Sequence, residues 1–266
     1  MLRRRFFLLL ASLTAGPGVL AQDSGFAGID QLRLGVSDVD RSTAFYAALF
    51  GAELRTDPAS GNPCIRLGQS VLWLEPATEP AGLLLGFALA GPVAARRPLL
   101  QAQGIRWQDA EDGSLQVVDR DAVRTRLGAA LDWQSLSAAE PRANGKPVFA
   151  ARLVDEVALN VTNMQVDSMF YARLLEQTST AVAGSQFFSI GSHARLRLSQ
   201  AAVGQATGFN YFSVLVANTD MAAAAEAVFR AGGIIENFLP NGFSFWDPDG
   251  LRVVVRTAPQ VLNLSP

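Results

Sequence analysis

The sequence predicts an α+β fold built from one strand–helix–strand unit used four times, and two observations lead there. First, residues 32–46 and 157–171 repeat each other at a constant offset of 125, so that Val36 matches Val161 and Phe45-Tyr46 matches Phe170-Tyr171. Second, each half ends on an aspartate-flanked turn, Asp119-Arg120-Asp121-Ala122 and Asp247-Pro248-Asp249-Gly250, at an offset of 128. Self-similarity at this scale marks a chain assembled from supersecondary units.

The elements follow in order. In Leu32-Arg33-Leu34-Gly35-Val36 apolar residues alternate with others, as in a strand with one buried face. Asp38 to Asp40 breaks the pattern, and a helix carrying Phe45-Tyr46 follows. Val157 to Val161 and the helix with Phe170-Tyr171 repeat this. Later in each half a helix is expected over Pro98–Gln103, ending at Gly104-Ile105, and over Met221–Ala231, ending at Gly232-Gly233-Ile234. Glycine there suits a left-handed helix cap. Asp247-Pro248-Asp249-Gly250 is a strong turn, proline fixing one φ and glycine supplying a positive one, and Asp119-Arg120-Asp121-Ala122 is a degraded copy. The four units begin near Ile29, Leu83, Val154 and Phe209.

Outside the repeats, Arg3-Arg4-Arg5 precedes an apolar run, Phe6 to Ala15, too short to span a bilayer, and Val19-Leu20-Ala21 offers small residues for cleavage before Gln22. Residues 1–21 therefore read as a signal peptide, and Arg4-Arg5-Phe6-Phe7-Leu8 matches the twin-arginine pattern. The expected location is periplasmic or secreted. Residues 26–134 and 151–258 form the two expected domains, joined by a linker at 135–150 and followed by a tail at 259–266.

The net charge of −2 and 17% charged residues give no basic stripe to neutralise phosphates, so nucleic acid is not an expected partner. No second apolar run is long enough to cross a membrane. Cys64 is the only cysteine and reads as a small buried hydrophobe. No dinucleotide or phosphate-binding glycine loop and no nucleophile elbow is present.

Ile29-Asp30-Gln31-Leu32, Asp40-Arg41-Ser42 with Phe45-Tyr46, Phe50-Gly51-Ala52-Glu53 and Phe245-Trp246-Asp247-Pro248-Asp249-Gly250 together resemble the vicinal oxygen chelate superfamily, which includes glyoxalase I, extradiol dioxygenases, fosfomycin-resistance enzymes and bleomycin-binding proteins. The resemblance covers nearly all of residues 28–257. It implies two glyoxalase-like domains, each pairing two βαβββ units into a cup-shaped mixed sheet. In metal-binding members, histidine and glutamate on the first and last strands point into the cup. Those positions fall here at Gln31, Leu84, Glu156 and Tyr211 on first strands. On last strands they fall near Trp73, Arg126 and Val254, with the third unit open among Arg195, Leu196 and Arg197.

Strand alternation turns Gln31, Arg33 and Gly35, then Leu84, Gly86 and Ala88, into the first cup. It turns Glu156, Ala158 and Asn160, then Tyr211, Ser213 and Leu215, into the second. A catalytic metal needs at least three protein donors and an open position. One carboxylate among apolar and cationic neighbours falls short, so neither a metal site nor a cofactor is expected. The one histidine, His193, reads as an exposed turn residue. The expected function is metal-independent binding of a small molecule, by a monomer or homodimer, as the resemblance to bleomycin-binding proteins implies. The ligand contacts expected are Gln31, Arg33 and Trp73 in the first cup, and Glu156, Asn160, Tyr211 and Arg252 in the second. Glu156 with an arginine filling the second cup is the competing expectation for those residues; Glu75 and Glu79 read as solvated edge charges. The alternative function is a metal-dependent lyase, isomerase or dioxygenase with displaced ligands, which needs His193 beside Glu156.

Overall fold

The computed structural model describes residues 25–51, 53–77, 83–139, 146–217 and 219–257. The expected signal peptide, the tail and Glu79 lie outside them, as does the side chain of Leu84. The first unit comprises β1 (Gly28–Val36), α1 (Val39–Phe50), β2 (Leu54–Thr56), β3 (Pro63–Leu67) and β4 (Ser70–Pro76). The second has β5 (Leu83–Ala90), α2 (Val93–Ala102), β6 (Gln108–Asp109), β7 (Leu115–Val118) and β8 (Arg124–Gly128), followed by the short β9 (Ser137–Ala138). The third has β10 (Ala151–Val161), α3 (Met164–Leu175), β11 (Thr180–Val182), β12 (Ser185–Ile190) and β13 (Ala194–Gln200). The fourth has β14 (Gly208–Val216), α4 (Met221–Arg230), β15 (Ile234–Leu239), β16 (Gly242–Trp246) and β17 (Arg252–Arg256).

In every unit the first strand runs parallel to the last: β1 to β4, β5 to β8, β10 to β13 and β14 to β17. Within each half the two first strands pair antiparallel at the centre, Gln31 opposite Ala88 and Glu156 opposite Ser213. The order across the first sheet is therefore β2-β3-β4-β1-β5-β8-β7-β6, and across the second β11-β12-β13-β10-β14-β17-β16-β15. This is the expected α+β architecture, two glyoxalase-like halves each carrying an open curved sheet.

Leu32, Leu34 and Val36 are fully buried under the helical layer, as are Val157, Leu159 and Val161 to within 1%. Each such side chain stabilises the fold by roughly 1.5–3 kcal/mol. Asp38 and Asn163 start α1 and α3 by accepting the amide protons of Arg41 and Val166, the reason short polar residues stand there. The helix α2 begins at Val93, before the expected Pro98, which lies inside it. Proline is favoured in a first helical turn, so Pro98 marked a start five residues late.

The halves meet through β1 and β10, where Ile29 pairs with Val154. Ser70 bridges the seam, its hydroxyl donating to the Ile29 carbonyl at 2.7 Å and accepting the Val154 amide at 3.0 Å. Gly68, at φ 66°, lies so close to Arg152 that a Cβ would sit 2.0 Å from its carbonyl oxygen. The segment expected as a linker is packed where it is described: β9 pairs with β2, and Phe149 is fully buried against Phe50 and Phe243.

The repeated tyrosines and turns are partners across the halves. The Tyr46 hydroxyl donates to Asp247 Oδ2 at 2.7 Å, and that of Tyr171 to Asp119 Oδ2 at 2.8 Å. Asp119 Oδ1 also accepts the amides of Asp121 and Val123, as Asp247 Oδ1 accepts those of Asp249 and Leu251. The turn read as degraded thus keeps its hydrogen bonds. Core packing accounts for the two rings, and these bonds account for their hydroxyls.

Candidate functional site

The first cup is floored by β1, β5, β4 and β8, which bring Gln31, Arg33, Gly86, Ala88, Arg124 and Arg126 around one cavity. It widens past Trp73 and Gln108 into a space of about 650 Å³. Arg33 donates to Glu75 at 2.7 Å, and its guanidinium lies 4.6 Å from the centre of the Trp73 ring. Glu75 is therefore a partner of the cup, not the solvated edge charge its sequence position implied. Arg126 meets Asp112 at 3.1 Å. Burial, and next the charge of Arg33, press the Arg126 guanidinium below its ordinary pKa. Burial disfavours the Asp112 carboxylate, but hydrogen bonds from Ser114, then Arg126 and Arg33, outweigh it and hold that group below the usual range. Gln31 is buried and donates to Asp30 at 3.2 Å.

Trp73, only 4% exposed, stands in a small cluster with Cys64, Val71, Trp133 and Leu136, which forms one wall of this cup. Cys64 is a free buried thiol pushed up to about 12, first by burial and then by Asp57. It stays protonated and acts as filler.

The second cup is arranged differently. Glu156 is fully buried; one oxygen accepts from Arg195 and the other from Tyr211, and Arg256 approaches to 3.5 Å. Arg197 donates to the Tyr211 hydroxyl at 3.1 Å. Burial and the Glu156 charge push Tyr211 up to about 12, so it remains a donor at neutral pH. Both Arg195 and Arg197 therefore face the cup, while Leu196 packs in the core, which resolves the open register of the third unit. Ala158, Tyr211, Val254 and Leu239 pack together beside this network. At the rim Arg252 meets Glu236 at 2.5 Å and lies 5.3 Å from the Tyr211 ring, and Asn160 accepts from Asn210 at 3.1 Å. Arg256 also holds Asp155 at 2.9 Å in a buried ion pair, a partner that the sequence pattern does not bring to it.

A divalent ion at the superfamily's position does not fit these residues. Both Glu156 oxygens are already engaged, and the guanidiniums of Arg195, Arg197 and Arg256 would repel a cation. In the first cup, Gln31 stands among Arg33, Arg126 and Trp73. Among the described residues no group of three or more histidine, cysteine, aspartate and glutamate side chains is placed to hold an ion. His193 is exposed in the turn between β12 and β13. It borders a cavity at the seam with Asp30 and Val154, which Glu156 does not line.

No family model matches the chain, and no curated sequence does. Solved structures do. The chain resembles the 2,3-dioxygenase LapB from Pseudomonas sp. KL28 with a TM-score of 0.69 at 14% identity, covering 88% of this chain and 93% of that one. The Mn(II)-bound glyoxalase from Novosphingobium aromaticivorans matches with a TM-score of 0.64 at 17% identity, over 86% and 81%. A xylose isomerase-like TIM barrel/4-hydroxyphenylpyruvate dioxygenase fusion protein matches with a TM-score of 0.65 at 16% identity, over 91% of this chain and 51% of that one. The chain has the vicinal oxygen chelate fold, in the two-domain arrangement of the extradiol dioxygenases. Identities this low concern the fold alone.

Proposed function

We propose that this chain of vicinal oxygen chelate fold binds a small molecule without the superfamily's metal, and that the first cup takes the ligand. The observation that carries the reading is Arg33 and Arg126 facing an open cavity floored beside Trp73. Two guanidiniums at the bottom of a cleft select an anionic group, and a tryptophan beside them favours a flat one. Their present partners, Glu75 and Asp112, are about a quarter and half exposed, so a ligand carboxylate competes with carboxylates already in contact with water. Gln31 supplies a further polar contact. In the second cup Glu156, Asn160, Tyr211 and Arg252 serve to close the space, since the Glu156 oxygens are committed to Arg195 and Tyr211. The reading includes export through residues 1–21 to the periplasm or beyond, and a monomer or homodimer with no nucleic-acid partner.

The test is calorimetric titration of the purified protein with benzoate and salicylate. Saturable binding is expected, weakened at least tenfold in Arg126→Ala. Binding that survives both Arg33→Ala and Arg126→Ala, or no binding by the wild type, overturns it.

The likeness to dioxygenases and a glyoxalase favours a second reading, a metal-dependent lyase, isomerase or dioxygenase with displaced ligands. That reading needs His193 beside Glu156, and His193 lies on the seam instead. Stoichiometric zinc, manganese, nickel or iron in the purified protein, lost in His193→Ala, would establish it.

A further inference from the structure

The repeat itself provides an internal comparison at the seam. The strand registers make Asp30 on β1 and Asp155 on β10 equivalent, because Ile29 faces Leu89 where Val154 faces Val214, and Gln31 faces Ala88 where Glu156 faces Ser213. The same registers make Gly128 equivalent to Arg256: Ala90 pairs with Gly128 where Leu215 pairs with Arg256. In the second half the buried Asp155 is neutralised by the Arg256 guanidinium at 2.9 Å. In the first half the equivalent carboxylate, Asp30, has a glycine, Gly128, at the place of that arginine.

Asp30 is consequently a buried carboxylate, 8% exposed, with no lysine or arginine paired to it among the described residues. Its Oδ2 accepts the Leu131 amide at 2.8 Å and the Gln31 side chain at 3.2 Å, while Oδ1 has no hydrogen-bond partner among those residues. Burial pushes it above its ordinary range, and a cation brought alongside would reverse that. A buried charge is retained at such a cost where something compensates it. Asp30 lines a cavity of about 220 Å³ at the seam, whose other walls include Ile29, Ala90, Ala130, Leu153 and Val154. That is smaller than the roughly 300–1,000 Å³ of drug-sized sites. It shares no lining residue with the cavities of the first cup.

We infer that this seam cavity binds a small organic cation, an amine, amidine or guanidine on a short apolar body, with Asp30 as its counter-ion. The ligand's cationic head supplies to Asp30 what Arg256 supplies to Asp155. The apolar body packs on Ile29, Leu153 and Val154, residues from both halves, so the ligand joins them.

Calorimetric titration with benzamidine and butylguanidine tests this, with benzamide as the neutral counterpart of similar shape. Saturable binding of both cations is expected, at least tenfold tighter than benzamide and unaffected by benzoate occupying the first cup. Asp30→Asn should weaken benzamidine tenfold or more. Ala130→Trp blocks the exposed rim and should abolish binding without altering the carboxylate. Installing the second-half solution, Gly128→Arg with Ser114→Gly, should do the same; the second change is needed because a Cβ on Gly128 would sit 2.9 Å from that of Ser114. If Asp30→Asn does not fold, the other two variants carry the test. Benzamide binding as tightly as benzamidine overturns the inference. So does wild-type affinity in any folded variant, or no binding of either cation by the wild type.

Discussion

In the first half Arg33 and Glu75 meet with about a quarter of each side chain exposed, whereas in the second Glu156 is sealed between Arg195 and Tyr211. The two cups share the register of their central strands, Gln31 opposite Ala88 as Glu156 is opposite Ser213. They differ in the side chains those strands carry and in the edge segments, such as Asp57 and Gln108 with their neighbours, that line the first. Where the floor keeps a cavity, charges pair loosely and water can replace either partner. In the second cup one buried carboxylate holds Arg195 and Tyr211 and draws in Arg256, and removing it takes a buried partner from all three. Glu156→Ala should therefore cost about 3–5 kcal/mol in urea unfolding. Arg33→Ala should cost no more than about 1 kcal/mol, as expected for a pair in contact with water. Similar losses would mean that the cups are equally open and the distinction between them fails.

The seam offers a second comparison. Asp249 accepts from the Ser42 hydroxyl and the Arg41 guanidinium, each at 2.7 Å, as well as from Ser37. Among the described residues its counterpart Asp121 accepts from Thr162 alone, because Val166 and Asp167 occupy the places of Arg41 and Ser42. Burial works against the Asp249 carboxylate, but Ser37 and Ser42, then Arg41, more than offset it and hold its pKa below the ordinary value. A depressed carboxylate contributes stability above the unfolded pKa, near 3.9, that is lost as pH falls through the folded value. Asp249→Asn should cost roughly 1.5–3 kcal/mol at pH 7, as hydrogen bonds to a charged acceptor do, and Asp121→Asn less. The gap between wild type and Asp249→Asn should narrow as pH drops below about 4. Urea midpoints measured from pH 7 to pH 2.5 check this, and a gap that widens on acidification would reverse the assignment.

These differences show what could be read in advance. The offsets between Val36 and Val161 and between Asp119 and Asp247 report backbone periodicity, so the four units and the cup-facing sides of β1 and β10 were legible from alternation. Glu156, Tyr211 and the arginines were legible as neighbours for the same reason. That Tyr46 bonds to Asp247 across 201 residues was not, because a pattern along one strand does not say which turn packs on which helix. Nor was the pairing of Arg33 with Glu75, which depends on the parallel register of β1 with β4. Asp30 and Asp155 stand at the repeat offset, and the signal was present; its meaning needed Gly128 and Arg256 to be brought opposite them. Pro98 shows the reverse error, a local rule applied where the tertiary packing of α2 prevails.

The smallest effect concerns the turns themselves. Ala122 occupies the left-handed position, φ 64°, that Gly250 fills at φ 81° in the second half. A residue with a Cβ is strained there by roughly 1–2 kcal/mol, while glycine loses more freedom on folding, by roughly 0.5–1 kcal/mol. The two terms nearly offset, so Ala122→Gly should raise stability by only about 0.5 kcal/mol, and Gly250→Ala should lower it by a similar amount. Opposite signs of comparable size in paired thermal melts would show that both turns hold the same backbone, the first under strain because Asp119 still fixes it to Tyr171. A loss in both variants would mean that the first turn relaxes away from that conformation in solution.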